Sequence, residues 1–345
     1  GRITTAGVVT SDDDPSSSIP LGITTGPDGA LWFANLGNNV IGRITTSGVS
    51  AYYTNPTVIG PVAITPGPDG ALWFTNKSSI GRITTAGLIS DFTSPTIDEP
   101  LSIAAGPDRS LWFTNYGNNS IGRITTSGVV TNYTSPTIKG PYAITRGPDG
   151  ALWFTNDGNG SIGRITTAGV VTNYTSPTID GPDAITAGPD GALWFTNDSN
   201  NSIGRVTTAG VVTNYTSSTI RNPNAIAAGP DGALWFTNSG NDSIGRITTG
   251  RSEPRAIISS DSASATAGSG FTFTVSTTGS SVPTITETGA LPNGITFLNN
   301  DNGTATISGS PDTSGVYHLT ISATFGKGTT EHVVTQAFTL AVSPA

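Results

Sequence analysis

A single string recurs along this chain at a nearly constant interval, and that interval constrains the fold more than any local preference does. GRITT or a one-residue variant begins at Gly1, Gly42, Gly81, Gly122, Gly163, Gly204 and Gly245, spaced by 41 residues and once by 39. Each interval also carries GPDGALWFTN or a close variant, centred on Trp32, Trp73, Trp112, Trp153, Trp194 and Trp235, which are all 6 Trp of the chain. Six complete repeats follow from this count. A unit of such length cannot bury its own apolar faces, so neighbouring units must stack on one another.

Within one unit, residues 184–187, 192–197, 202–207 and 211–216 read as four short β-rich runs separated by Gly, Pro, Asn and Asp. Four strands per repeat of this period make a propeller blade, with the Trp positions in the core between blades. The expected fold is therefore all-β, a six-bladed β-propeller of four-stranded blades over residues 1–250. The last repeat supplies three strands up to Thr249 and leaves the pattern at Arg251. Val8 to Ser11 reads as the spare outer strand that completes the last blade and closes the ring. Gly1 to Thr5 then duplicates a strand already present. A longer native array, or self-association through a strand donated to a neighbouring molecule, accounts for the surplus.

Composition narrows the setting. The chain has 345 residues, no Cys and no Met, and a net charge of −8. Without Cys there is no disulfide framework, no thiolate metal site and no cysteine nucleophile. Without Met, Gly1 is not an initiator, and the chain is expected to be processed or read from inside a longer polypeptide, as a secreted or cell-surface protein. A pI near 4.6 excludes a nucleic-acid partner of the ordinary basic-surface kind. No apolar run reaches membrane-spanning length. Beyond the repeats, RSEPR at residues 251–255 reads as a linker. Residues 256–345 are Thr/Ser-rich with alternating runs, which points to an Ig-like β-sandwich.

The blade pattern ITxGPDGALWFTN…NxIGRITTxG resembles the repeats of the virginiamycin B lyase (streptogramin lyase) family over essentially all of residues 1–250. The resemblance implies a propeller, seven-bladed in that family, and a metal-assisted elimination on a cyclic depsipeptide antibiotic using Mg2+ and a Glu/His cluster on one propeller face. This sequence departs from it in two ways. It has six full repeats, and the catalytic residue types are missing. His318 and His332 both fall after the repeats, and Glu99 is the only Glu within them. Where the lyases carry Glu at the end of the Trp strand, this chain has Asn35, Asn76, Asn115, Asn156, Asn197 and Asn238. Elimination needs a base, and the metal needs carboxylate or imidazole ligands. The expectation is a non-enzymatic extracellular module for binding or structural assembly, with a metal-dependent carbon–oxygen lyase as the alternative. The C-terminal text LPNGITF…NGTATISGSPDTSGVYHLTISAT…FTLAV resembles the Ig-like domains strung along bacterial surface proteins, which are spacers or adhesion modules.

Several motifs have plain structural readings. The GPDG Asp is expected to tighten its turn, and the recurring Arg to pair with a recurring Asp or carbonyl at blade contacts. The loops from Asp157 to Ser161 and Asp198 to Ser202 alternate oxygen ligands as Ca2+ prefers. Lacking a distal bidentate Glu, they are read as Asn/Gly turns, and no cofactor is expected. Asp12 to Asp14 reads as a solvated loop.

Repeats this similar make their differences informative. One varied position opens the inner strand: Leu21, Val62, Leu101, Tyr142, Asp183 and Asn224. The other follows the recurring Asn: Leu36, Lys77, Tyr116, Asp157, Asp198 and Ser239. Both sets are expected around one mouth of the axial channel. The third to sixth blades then offer Tyr116, Tyr142, Asp157, Asp183, Asp198 and Asn224 as a ligand site for a glycan, a peptide or a surface partner.

Overall fold

The structure is a computed structural model that describes residues 1–11, 14, 16–249, 255–278, 282–326 and 332–345. The expected linker, apart from Arg255, lies outside the described residues, as do Asp12 and Asp13. The chain divides into two compact units, 1–229 with 233–247, and 248–345 with 230–232. No helix among the described residues is long and apolar enough to cross a membrane.

Five four-stranded antiparallel sheets occupy residues 20–54, 64–92, 100–134, 141–175 and 182–216, and a sixth of three strands occupies 223–248. These are blades 1 to 6. Blade 4 shows the pattern, running from the inner strand Pro141–Arg146 through Leu152–Asn156 and Ser161–Ile165 to the outer strand Val171–Thr175. Its second strand is buried along its whole length, because blades cover both faces. That explains the unbroken Leu-Trp-Phe run, where a half-exposed strand would alternate. Inner strands of successive blades pack against one another from blade 1 to blade 6.

Each junction is built the same way. Trp153 and Ile162 of blade 4 join Ile185, Leu193, Phe195 and Val206 of blade 5 in one core cluster. Trp153 also stacks on Tyr174 of its own blade, with ring centroids 5.1 Å apart and planes 10° from parallel. Gly163 lies directly across the sheet from Phe154, whose ring takes the space a side chain would need: an added Cβ would sit 2.1 Å from Cζ. The GPDG Asp does more than tighten its turn. Asp149 accepts the Trp153 indole N–H at 3.0 Å on one oxygen and the Arg164 Nε–H at 2.6 Å on the other. The recurring Arg therefore pairs inside its own blade, not between blades. Burial pulls the Asp149 carboxyl upward, but the bonds from Trp153 and Arg164 outweigh it and hold the group below its usual range.

Among the described residues, the ring closure expected from Val8 to Ser11 is not formed: β1 (Arg2–Ile3) and β2 (Val9–Thr10) pair with each other as a separate two-stranded sheet, and the sheet of blade 6 has three strands. A tight turn joins β1 to β2, closed by the Thr4 N–H on the Val8 carbonyl at 2.9 Å. Pairing across that turn carries a far smaller loop-closure cost than pairing with blade 6, more than 200 residues away.

The C-terminal unit is the expected sandwich. One sheet orders Ala256–Ile257, Phe271–Thr278, Thr304–Gly309 and Ile295–Asn299, and the other Ser262–Thr266, His332–Ser343, Gly315–Phe325 and Thr284–Gly289. Val275, Ile307, Ile321, Phe325, Phe338 and Leu340 fill the space between them. His318 and His332 lie on its two longest strands, exposed.

Candidate functional site

The two varied positions become neighbours through two backbone devices. In blades 1, 3, 4, 5 and 6 the inner strand slips register after its first residue. In blade 4, Pro141 pairs with Asn156 and Ile144 with Phe154, so Tyr142 and Ala143 form a bulge. A bulge turns its side chains away from the sheet's normal direction. The residue before that Pro takes a positive φ, 44° at Glu99, 54° at Gly140 and 58° at Gly181. Its carbonyl accepts the N–H of the second varied position: Tyr116 on Glu99 at 3.1 Å, Asp157 on Gly140 at 3.0 Å and Asp198 on Gly181 at 3.0 Å. The preceding blade then fixes the bulge, with Thr114 donating to the Tyr142 carbonyl at 2.9 Å, and Thr155 and Thr196 to those of Asp183 and Asn224 at 2.7 Å.

Two pairs of the candidate residues are in direct contact, and Asp157 and Asp198 act on them through charge. Tyr116 of blade 3 and Tyr142 of blade 4 lie edge to face, centroids 6.5 Å apart. Asn224 of blade 6 donates to Asp183 of blade 5 at 2.5 Å. Burial pushes the Asp183 carboxyl up to about 7, helped by the charges of Asp198 and Asp157. Burial and the Asp198 charge raise Asp157 as well. Burial raises the Tyr142 phenol, with Asp183, Asp157, Tyr116 and Asp198 adding to the effect. The patch thus concentrates negative charge beside two half-exposed rings.

The varied positions of blades 1 to 3 are mostly aliphatic. Leu36, Val62, Lys77, Glu99, Pro100 and Leu101 line a cavity of about 250 Å3. Sequence reading set these blades aside, although the change from Leu and Val to Tyr and Asp between blades was its visible signal.

The recurring Asn at the end of the Trp strand has another task. Asn156 is fully buried, accepts the Lys139 N–H at 3.1 Å and donates to Ser161 and Asn173. It ties the connecting loop to the blade. In the loops considered for Ca2+, Asn159 accepts from Ser161 at 2.6 Å and Asp198 from Ser199 at 2.9 Å.

Residues 1–136 and 58–263 match the model of the virginiamycin B lyase family, and residues 254–343 match the family described as "Putative Ig domain". The chain belongs to the virginiamycin B lyase family. Among solved structures, this family member is 40% identical to a catalytically inactive His-to-Ala virginiamycin B lyase from Staphylococcus aureus with quinupristin, which covers 71% of this chain and 86% of its own at a TM-score of 0.67. A streptogramin B lyase structure is 34% identical over 68% of this chain and 84% of its own, with a TM-score of 0.63. An auxiliary nutrient binding protein from Bacteroides ovatus shares the fold alone, at 14% identity, 66% and 68% coverage and a TM-score of 0.51. No curated protein matches the chain.

The family's Mg2+ does not fit this member. Among the described residues, no three His, Cys, Asp or Glu side chains converge as metal ligands. Of the mouth carboxylates, Asp157 belongs to blade 4 and Asp183 and Asp198 to blade 5, and Asn224 of blade 6 donates to Asp183.

Proposed function

We propose that this chain is a non-enzymatic, extracellular binding module, and that its propeller holds a basic group of a peptide or surface partner over the mouth formed by blades 3 to 6. One observation carries the reading. The positions that differ among otherwise near-identical blades converge on one patch, where Tyr116 and Tyr142 flank Asp157, Asp183 and Asp198. A cation seated there relieves the repulsion among the carboxylates and lies against aromatic faces. The apolar cavity beside Leu36 and Leu101 suits an adjoining aliphatic portion.

Lyase chemistry has less support. A relative of this chain is described as catalytically inactive once a His is replaced by Ala. The repeats here contain no His at all. Two measurements test the reading. A hexa-arginine peptide should bind the full chain by calorimetry, and the Tyr142→Ala/Asp183→Ala double variant should lose that binding with no fall in Tm. Unaltered affinity in the double variant would overturn the site. Linearisation of a streptogramin B substrate in the presence of Mg2+ would overturn the non-enzymatic reading.

A further inference from the structure

Every internal junction seats the Trp and third-strand Ile of one blade on the next blade's inner-strand Ile, second-strand Leu and Phe, and third-strand Ile or Val. In blade 1 that receiving surface is partly uncovered, with Phe33 buried and Leu31 and Ile44 half-buried. Ile23 is 60% exposed, whereas its counterparts Ile64, Ile103, Ile144, Ile185 and Ile226 are between 5% and 9%. Around it runs a groove of about 510 Å3 lined by Leu21, Ile23, Leu31, Phe33 and Ile44, with Arg2 at its rim.

The hairpin beside this groove has a recognisable register. Arg2 pairs with Thr10 and Ile3 with Val9, the same offset as Arg43 with Ala51 and Ile44 with Ser50 in blade 1. It is the outer half of a blade, and β1 has one unpaired edge. Arg2 forms no ion pair among the described residues, while Arg43, Arg82, Arg123, Arg164 and Arg205 each hold a turn Asp at 2.6–2.7 Å.

We propose that the groove and the N-terminal hairpin together form a docking slot for one inner β-hairpin of this repeat's own pattern, ITxGPDGALWFTN, additional to those of the six blades. The argument is continuity with the junctions inside the chain. The incoming Trp takes the seat over Ile23 that Trp32 takes over Ile64. The incoming turn Asp binds Arg2, and the incoming second strand pairs with β1. Its Thr hydroxyl donates to the Leu21 carbonyl, as Thr155 does to that of Asp183. A second intact copy is a poor occupant, because each of its inner hairpins is already committed to a blade.

The test adds a synthetic peptide of residues 182–200, which form an inner hairpin in blade 5, to the full chain. Hydrogen exchange should show new protection in residues 20–25 and in β1, with a rise in Tm. A peptide with Trp194→Ala should bind at least tenfold more weakly. Ile23→Asp in the full chain should abolish the protection, and its own Tm should stay put because Ile23 is already exposed. Absence of protection at saturating peptide overturns the proposal, and so does protection that survives Ile23→Asp. Residues 20–25 protected without peptide, in a monomer or in a concentration-dependent dimer, also overturn it. None of these outcomes depends on the mouth of blades 3 to 6.

Discussion

Two sets of carboxylates titrate in opposite directions in this molecule. Asp183 has its carboxyl at about 7 against an ordinary 3.8. Between those values the folded chain holds a proton that the unfolded chain has released, so stability falls as pH rises from about 4 to about 7. Asp183→Asn should remove that slope. Its Tm should match the parent below about pH 4 and exceed it by a few degrees near pH 8, roughly 1 kcal/mol or more after solvent screening at an open mouth. The turn carboxylates behave the other way. Asp69, Asp108, Asp149 and Asp190 are held below 3.8 by their Trp and Arg partners, so their stabilisation is full above that value and is lost as pH falls below it through their lowered folded values. Asp149→Ala leaves the fully buried Trp153 indole N–H without an acceptor and should cost about 2–3 kcal/mol by denaturant unfolding. The sequence showed Asp, Trp and Arg recurring together, but not that one Asp serves both partners. That bond depends on how far the turn folds back over the strand, which spacing alone does not reveal.

At the level of strands, register decides what each blade can tolerate. Gly163→Ala drives a methyl into the Phe154 ring across the sheet, with both faces of the strand already covered. The expected loss is about 1–3 kcal/mol, read from the denaturant midpoint. Strand identities were legible because each is short, apolar or alternating, and bounded by Gly, Pro or Asn. The run read at 184–187 is found at Pro182–Ala187, and that at 202–207 at Ser202–Val206. The bulge after Pro141 was not legible, because a slip of register leaves no compositional trace. The meeting of Tyr142 with Tyr116, and of Asp183 with Asn224, was still anticipated, since both varied positions lie at one end of the blade whatever the register. The outer strand expected to close the ring went elsewhere because a partner lay only a turn away.

Across the whole molecule, the two units have separate cores, so calorimetry should resolve two transitions rather than one. Within the propeller, position outweighs sequence. Ile185→Asp should cost about 3 kcal/mol or more and lower the first-melting or second-melting transition that belongs to the blades, whereas Ile23→Asp should change it by less than about 0.5 kcal/mol. The two residues have the same place in the repeat and differ in exposure, 7% against 60%. The sameness of the seats also bears on how the arc is assembled. The surface of blade 2 that receives Trp32 is chemically the surface of blade 4 that receives Trp112. A blade arriving out of turn therefore finds a seat that fits, and only the short connections between consecutive blades impose the right neighbour. A chain refolding from denaturant meets such skipped-blade arrangements early. Each must give up a buried Trp before it can be corrected, so the order of the blades is set by the length of the thread that joins them.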